Sequence, residues 1–370
     1  MCGLAVPHID RLLTEETSNL EKRMKKRTLS TMLGLLAIGV CSLAPLSAQA
    51  ETVWPKKLVI SVPASGNVMH MATNAMAKTI EKHTPVERVI VQPIGGPKSW
   101  LPKMEKGQVD MAMHAGPDTV ELLQGLGVWQ KNGTGAKPFL RTIIPGARAL
   151  YGCITIPGKG IEKYSDLKGR VVTMRQPGNP LFDRVGFAIL ESAGLKESDL
   201  KACLTMINFR ELTADIVEGR VDAALSTGSG PFMMELETSG GANVYVEPSV
   251  EEGKRLMELL PTGFFLGELP AHAPYFNNTS PIKRAIMYRN GIYARADMDP
   301  EVAYAIIKAI DENRSEWESI SPIASDFGTI YEYAPPYHEG VVRYYKEKNL
   351  WNGKVVEQHD RLLKAIKAEK

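Results

Sequence analysis

Short apolar runs alternate with helix-length segments along most of the chain. Runs with the length and composition of buried strands occur at 58–62, 88–93, 109–114, 150–156, 170–174, 202–207 and 221–225. A further strand is predicted at 282–296. Because strands that alternate with helices usually form a parallel sheet covered by helices, the pattern predicts an α/β fold.

The turns after the predicted strands are rich in small and hydrogen-bonding residues. Loops at the carboxyl ends of parallel strands meet at one edge of a sheet, where ligands bind and helix N-termini supply backbone donors. We therefore predict a ligand crevice with these candidate residues: Ser65, Gly66, Asn67, His70, Ser99, His114, Arg175, Asn179, Thr227 and Ser229. For the first loop, a capped turn without a ligand is the alternative.

Arg175 follows a predicted strand and precedes a turn with Gly178 and Asn179. A guanidinium in this position can bind a carboxylate through two parallel hydrogen bonds. The alternative is a surface salt bridge to a neighbouring acid, which contributes little to stability.

The two histidines of the predicted crevice have two possible roles. His70 and His114 could bind a ligand or be satisfied by backbone carbonyls. Metal binding is disfavoured because no clustered set of His, Cys and acidic residues supplies further ligands. Two related segments, "KGQVDMAM" and "EGRVDAAL", place Asp110 and Asp222 in turns before strands, where we expect structural roles.

Enzyme motifs are incomplete. His338 and Glu339 lack a second histidine at zinc-protease spacing, and Ser229 lacks the flanking glycines of a nucleophile elbow. We therefore expect neither catalysis nor a cofactor. An enzyme built on an unrecognised set of residues is the remaining alternative.

The N-terminal part of the chain has the order of an export signal. Basic residues at 25–27 precede an uncharged stretch at 28–46, and small residues lead to Ala50. The uncharged stretch includes Pro45, and its apolar part is shorter than the roughly 20 residues of a membrane-spanning helix. We expect residues 1–23 to be an upstream extension, 24–50 to be a signal peptide cleaved after Ala50, and the remainder to reach the periplasm without membrane insertion.

Composition limits the choice of partners. Acidic and basic residues balance beyond Ala50, which argues against nucleic-acid binding. Cys153 and Cys203 could form one disulfide or remain two buried thiols.

Several ordered segments resemble the TRAP-associated extracytoplasmic immunogenic (TAXI) family of solute receptors. They include "LVISVPASGNVMHMATNAMAK", "IGGPKSWLPKMEKGQVDMAM", "YSDLKGRVVTM", "ILESAGL", "EGRVDAAL", "GIYARADMDPEVAYAIIKAI" and "HEGVVRYYKEKNLW". The resemblance implies a type II-like periplasmic binding protein, with two α/β lobes joined by a hinge around a ligand cleft. The expected bounds are 56–150 and 277–370 for lobe I and 151–276 for lobe II.

The resemblance further implies a monomeric receptor that closes around a small organic anion of the carboxylate type and delivers it to a TRAP-type membrane permease. A sensor that presents its closed form to a signalling partner is the alternative. Met69 and His70 occupy places where family members usually have tyrosines, and "HAGPD" replaces another family segment. The ligands of relatives therefore cannot simply be transferred.

Overall fold

A computed structural model of the protein describes residues 52–63, 68–176, 178–228, 231–242, 244–271, 281–320 and 324–368. The predicted extension at 1–23 and signal peptide at 24–50 lie outside these residues. The same is true of four candidate site residues, Ser65, Gly66, Asn67 and Ser229.

The described strands form a mixed sheet of ten strands with the order β2-β1-β3-β10-β4-β7-β5-β6; β8 lies beside β4 and β9 beside β10. The strands are β1 (Lys57–Val62), β2 (Arg88–Pro93), β3 (Met111–Ala115), β4 (Leu140–Thr155), β5 (Val171–Arg175), β6 (Ala202–Thr205), β7 (Ala223–Thr227), β8 (Val244–Val246), β9 (Phe265–Leu269) and β10 (Ile282–Arg295). The predicted α/β fold is confirmed.

Helices follow most of the strands. The described α-helices are α1 (Val68–His83), α2 (Pro97–Glu105), α3 (Gly116–Gln124), α4 (Val128–Lys131), α5 (Pro180–Ser192), α6 (Phe209–Val217), α7 (Pro231–Gly240), α8 (Val250–Leu259), α9 (Pro300–Glu312), α10 (Glu339–Glu347) and α11 (Gly353–Ala368). Short 3-10 helices occupy Tyr164–Leu167, Glu197–Asp199, Arg314–Glu316, Glu318–Ile320 and Ala324–Asp326. Among the described residues, no helix is long and apolar enough to span a membrane.

The sheet contains two parallel blocks joined by two long antiparallel strands. β1 pairs in parallel with β2 and β3, which form the first block, and β5 pairs in parallel with β6 and β7, which form the second. β4 and β10 pair with each other through the junction, with bulges between Arg289 and Gly291 and between Ile292 and Tyr293. The sequence predicted only the second half of β4, because Pro145 and Gly146 interrupt its apolar pattern.

Each block has its own apolar cores. Ile143, Ile144 and Ala147 of β4 pack with the first block, whereas Tyr151 and Cys153 of the same strand pack with the second. A hydrophobic interior of this kind supplies most of the free energy that favours folding.

β10 divides in the same way as β4. Ile286 and Tyr288 pack with the second block, and Ile292 and Ala294 pack with the first. We therefore propose two lobes whose return crossing lies within β10, after Tyr288. The bound expected near residue 277 stays a prediction, since local periodicity carries no sign of a change in packing partner.

The aspartates of the two related segments have equivalent roles. Asp110 Oδ2 accepts a hydrogen bond from Val59 N at 2.7 Å, and Asp222 Oδ2 accepts one from Val171 N at 2.9 Å. Each carboxylate therefore ties the start of one strand to its parallel neighbour. Burial raises the pKa of Asp110 above its usual value.

Both described cysteines are free thiols. Cys153 is fully buried in β4, and this burial raises its pKa well above that of a solvated thiol. Of the two possibilities left by the sequence, the structure has the unpaired one.

Candidate functional site

A cavity of about 230 Å³ lies where the two blocks of the sheet meet. Its walls come from loops and strand ends of both blocks and from the middle of β4 and β10. The described lining residues are Pro63, Met69, Gly95, Gly96, Met113, His114, Ala115, Ala149, Gln176, Gly178, Asn179, Phe182, Met206, Ile207, Phe209, Thr227, Tyr288 and Asn290. The candidate residues His114, Asn179 and Thr227 thus share one cavity, although they lie far apart in sequence.

The loops after β2 and β5 touch at the edge of this cavity. A Cβ atom placed on Gly96 would lie 2.0 Å from the carbonyl oxygen of Gly178. The backbone of Gly96 has φ −82° and ψ −179°, which other residues adopt easily. The absence of a side chain at Gly96, and not an unusual backbone conformation, therefore permits this contact between the blocks.

His114 is held by a buried carboxylate. Its Nε2 contacts Asp118 Oδ2, while Asp118 Oδ1 accepts a hydrogen bond from Trp129 Nε1 at 2.9 Å. Asp118 and Trp129 are completely buried, and His114 is 6% exposed. In the neutral tautomer whose Nε2–H donates to Asp118, Nδ1 is a hydrogen-bond acceptor, whereas an imidazolium has donors at both nitrogens. The pair also fixes the orientation of the ring at the cavity wall.

Two buried oxygen atoms of the second block have no hydrogen-bond partner within the described part of the chain. They are Oδ1 of Asn179, just before α5, and Oγ1 of Thr227, at the end of β7. Asn179 occupies the N-cap position of α5 without making the usual side-chain cap. A buried polar atom without a partner costs about 1–3 kcal/mol, so a hydrogen bond from a ligand at either position would be stabilising.

Arg175 lies outside the cavity lining. Its Nη2 donates to the two carboxylate oxygens of Glu197 at 2.7 and 2.8 Å, and its guanidinium lies 4.6 Å from the ring centre of Phe187. The hydrogen bond from Arg175 lowers the pKa of Glu197. This placement favours the salt-bridge alternative, and binding of a ligand carboxylate by Arg175 stays a prediction.

Two other candidate residues do not contribute to the described lining. The His70 carbonyl oxygen accepts a hydrogen bond from Asn74 Nδ2 at 2.8 Å, and Ser99 is exposed on α2. Met69, next to His70, and Gly96, three residues before Ser99, line the cavity instead. Because adjacent helical residues point in directions about 100° apart, the prediction of His70 in place of Met69 selects a different face of α1.

Several lining residues were not anticipated from the sequence. Phe182 packs between Tyr151 and Tyr288, with ring centres 5.1 and 6.3 Å away. Tyr288 is fully buried, and this burial raises its pKa above the usual value. In a largely buried strand such as β10, the sequence does not distinguish an aromatic residue that lines a cavity from one that fills the core.

The cavity has almost no fixed charge. No lysine, arginine, aspartate or glutamate occurs among the described lining residues, and the neighbouring segments 64–67, 177 and 229–230 contain no ionisable side chain either. Within the described residues, no group of three His, Cys, Asp or Glu side chains could hold a metal ion. The site is therefore built for hydrogen bonding and apolar contact.

One ion pair connects the two blocks beside the cavity. Arg184 Nη1, on α5, donates to Glu121 Oε1 at 2.8 Å and to Oε2 at 2.9 Å, on α3. The side chains are 30% and 17% exposed, respectively. Because water reaches both groups, we expect a modest electrostatic contribution from their interaction.

We predict that Arg184→Gln and Glu121→Gln each destabilise the protein and that their effects are not additive, with a coupling energy of about 1 kcal/mol. Urea unfolding of the two single variants and the double variant measures this coupling. Arg220→Gln is the matched control, since Arg220 pairs with Asp215 and Glu218 in its own block. Fully additive effects at 121 and 184 would show that the pair does not hold the blocks together.

A sequence model described as the NMT1-like family matches residues 60–348, which is most of the chain. The protein therefore belongs to the NMT1-like family. The assignment to the TAXI family is finer than this match and stays a prediction. No curated protein matches the chain.

Solved structures similar to this one include several binding proteins. One described as a periplasmic transporter has 12% identity and a TM-score of 0.47, with 86% of this chain and 99% of that chain covered. The aliphatic sulphonate binding protein SsuA from Escherichia coli has 15% identity and a TM-score of 0.42, with 83% and 91% covered. The amino acid ABC transporter substrate-binding protein AbpA from Streptococcus pneumoniae, bound to L-arginine, has 12% identity and a TM-score of 0.42, with 84% and 96% covered. These values are too low to transfer a ligand.

Proposed function

We propose that the protein is a periplasmic receptor that captures a small solute between two lobes and delivers it to a membrane transporter. The observation that carries this proposal is the cavity itself, whose polar atoms come from both blocks of the sheet. His114 belongs to the first block, and Asn179 and Thr227 belong to the second. A solute that contacts both blocks stabilises the closed arrangement over any arrangement in which they are apart.

The contact between Gly96 and Gly178 supports the same mechanism. With these loops touching, a solute in the cavity would be held by both blocks at once. Shifting a receptor from mostly open to mostly closed requires about 10⁴-fold tighter binding to the closed form. Contacts from both sides are the physical source of such a preference.

The export signal expected at 24–50 and the described segments that resemble TAXI receptors favour a TRAP-type permease as the recipient. This choice of transporter is part of the proposal. Uptake of the bound solute tests this choice in cells that lack either the TRAP permease or the ABC transport components. Transport that depends on the receptor should disappear when the TRAP permease is removed and persist when the ABC components are removed.

We predict that the chain, purified from the periplasm, retains a small solute that mass spectrometry detects after denaturation. Adding this solute back should raise the melting temperature, since a ligand that binds only the folded state stabilises it. Thr227→Val should weaken binding by about tenfold, because it removes one buried hydrogen bond at nearly constant volume.

Ser226→Ala is the matched control for this variant. Ser226 precedes Thr227 in β7, and its hydroxyl contacts Met206 Sδ at 3.8 Å. Ser226 lies outside the described lining and reaches it only through this weak contact with Met206, so the serine variant should bind the solute within about twofold of the parent chain. Equal losses in both variants would contradict a specific role for Thr227, and the absence of any stabilising solute would contradict the receptor function.

A further inference from the structure

We propose that the cavity selects a compact, uncharged solute that donates hydrogen bonds, and that it discriminates against organic anions. This inference rests on the proposed receptor function and names the class of solute. It replaces the carboxylate that the sequence led us to expect. Three independent features of the site carry it: the position of the nearby cations, the start of the helices, and the kind of polar atom that faces the cavity.

Three arginines near the cavity have partners outside its described lining. Arg175 pairs with Glu197, and Arg184 pairs with Glu121. Arg289 lies in β10 between two lining residues, but its guanidinium is 3.6 Å from Asp326 and 5.5 Å from the ring centre of Tyr331. Alternation along the strand turns it to the opposite face. A buried carboxylate without a cation would retain a desolvation penalty of several kcal/mol.

Three helix N-termini beside the cavity give an anion less support than usual. Proline occupies one of the first two positions in α2, α3 and α5, so each of these helices has one fewer free backbone N–H at its start. α3 and α5 also carry acids in their first turns, Asp118 and Asp183. Asp183 Oδ1 accepts a hydrogen bond from Gln176 N at 2.6 Å, beside the cavity. These carboxylates already occupy the positive ends of the helix dipoles and would repel a second anion.

The buried oxygens that lack partners can accept hydrogen bonds from the solute. Asn179 Oδ1 can only accept a hydrogen bond, whereas the hydroxyl of Thr227 can accept or donate one. His114 Nδ1 is a further acceptor in the neutral tautomer whose Nε2–H donates to Asp118. An ionised carboxylate offers only acceptors, whereas an amide, lactam or alcohol supplies the N–H or O–H that Asn179 Oδ1 lacks.

The remaining wall suits a flat apolar body. Phe182 and Phe209 contribute aromatic surface, and Met113 and Met206 contribute polarisable thioether groups. Together with the small volume of about 230 Å³, this lining fits a single substituted ring. The geometry therefore points to a compact neutral compound such as a ring amide or lactam.

Matched pairs of probes test this inference on the exported chain. A panel of ring amides, lactams and alcohols, including nicotinamide, benzamide and 2-pyridone, is compared with the corresponding carboxylates, including nicotinate and benzoate. The melting temperature should rise by about 5 °C with the best neutral probe at 100 times its Kd and should not change with its carboxylate partner. The affinity for the neutral probe should change less than about twofold with added salt, because no solute charge is screened.

Asn179→Asp provides a second, independent measurement. The variant keeps an acceptor oxygen and a good N-cap residue but adds a negative charge at the cavity wall. It should weaken binding of the neutral probe by a few-fold, whereas it would weaken binding of an anion by about 100-fold or more. Stabilisation by the carboxylates that equals or exceeds that by the neutral probes overturns this inference and leaves the receptor function intact. If no compound in the panel or in a wider solute library stabilises the chain, the receptor function fails, and this inference fails with it.

Discussion

Gly96→Ala is expected to weaken solute binding by about 100-fold, equivalent to about 2.7 kcal/mol, while leaving the unliganded chain folded. The added methyl group would lie 2.0 Å from the Gly178 carbonyl oxygen, which is far inside van der Waals contact. The two loops would have to separate, and a solute would then lose contacts from one block. Calorimetric titration with the solute recovered from the purified chain gives Kd, and urea unfolding without solute gives the stability.

Gly178→Ala is the matched control on the other side of the same contact. Among the described residues, a Cβ atom there would have one neighbour within 4 Å, the Gly96 nitrogen at 4.0 Å, which is an ordinary distance. Binding by this variant should stay within about threefold of that of the parent chain, since no contact is shortened. Similar Kd values for the two variants would contradict the view that close approach of these loops is needed for capture.

The largest expected effect on stability is that of Asp118→Ala, with a loss of about 3 kcal/mol in the free energy of unfolding. The variant removes the buried partner of both His114 and Trp129, and leaving buried polar groups unpaired is costly. It should also weaken solute binding, because the ring of His114 is no longer held in place. Urea denaturation measures the first effect, and calorimetric titration measures the second.

Trp129→Phe separates the two contacts of Asp118. It removes the indole N–H but leaves the contact with His114, so we expect a smaller loss of about 1–2 kcal/mol and nearly normal solute affinity. A loss of less than about 1 kcal/mol in Asp118→Ala would show that the buried carboxylate does not organise this wall of the cavity.

Much of the sheet could be predicted from the sequence because its strands are short apolar runs bounded by turns. β1, β2 and β5 begin and end within a residue or so of their predicted positions. The short strand Val244–Val246 was missed, since three residues do not form a recognisable pattern. The antiparallel direction of β4 and β10 depends on where the chain crosses between blocks, which local periodicity does not encode.

Part of the cavity lining could be predicted, for a similar physical reason. His114, Asn179 and Thr227 were predicted to share a crevice because they follow predicted strands in a fold that brings strand ends together, and all three line the cavity. Arg175 lies outside the described lining because position along the chain does not determine which way a long side chain turns. Its bidentate contact with Glu197 joins residues that are 22 positions apart. Asn290 and Tyr288 were missed because strand residues that line a cavity resemble those of the core.

The pairing of β4 with β10 continues through the junction despite its two bulges, and this limits how the two blocks can move. Sliding one half past the other would break a whole ladder of backbone hydrogen bonds, whereas flexing at the irregular pairs around Arg289 and Ile292 breaks few. The molecule should therefore open by a hinge motion about β4 and β10, with each block moving as a rigid body. The distance between His114 and Thr227 would then report directly on how far the two blocks have separated.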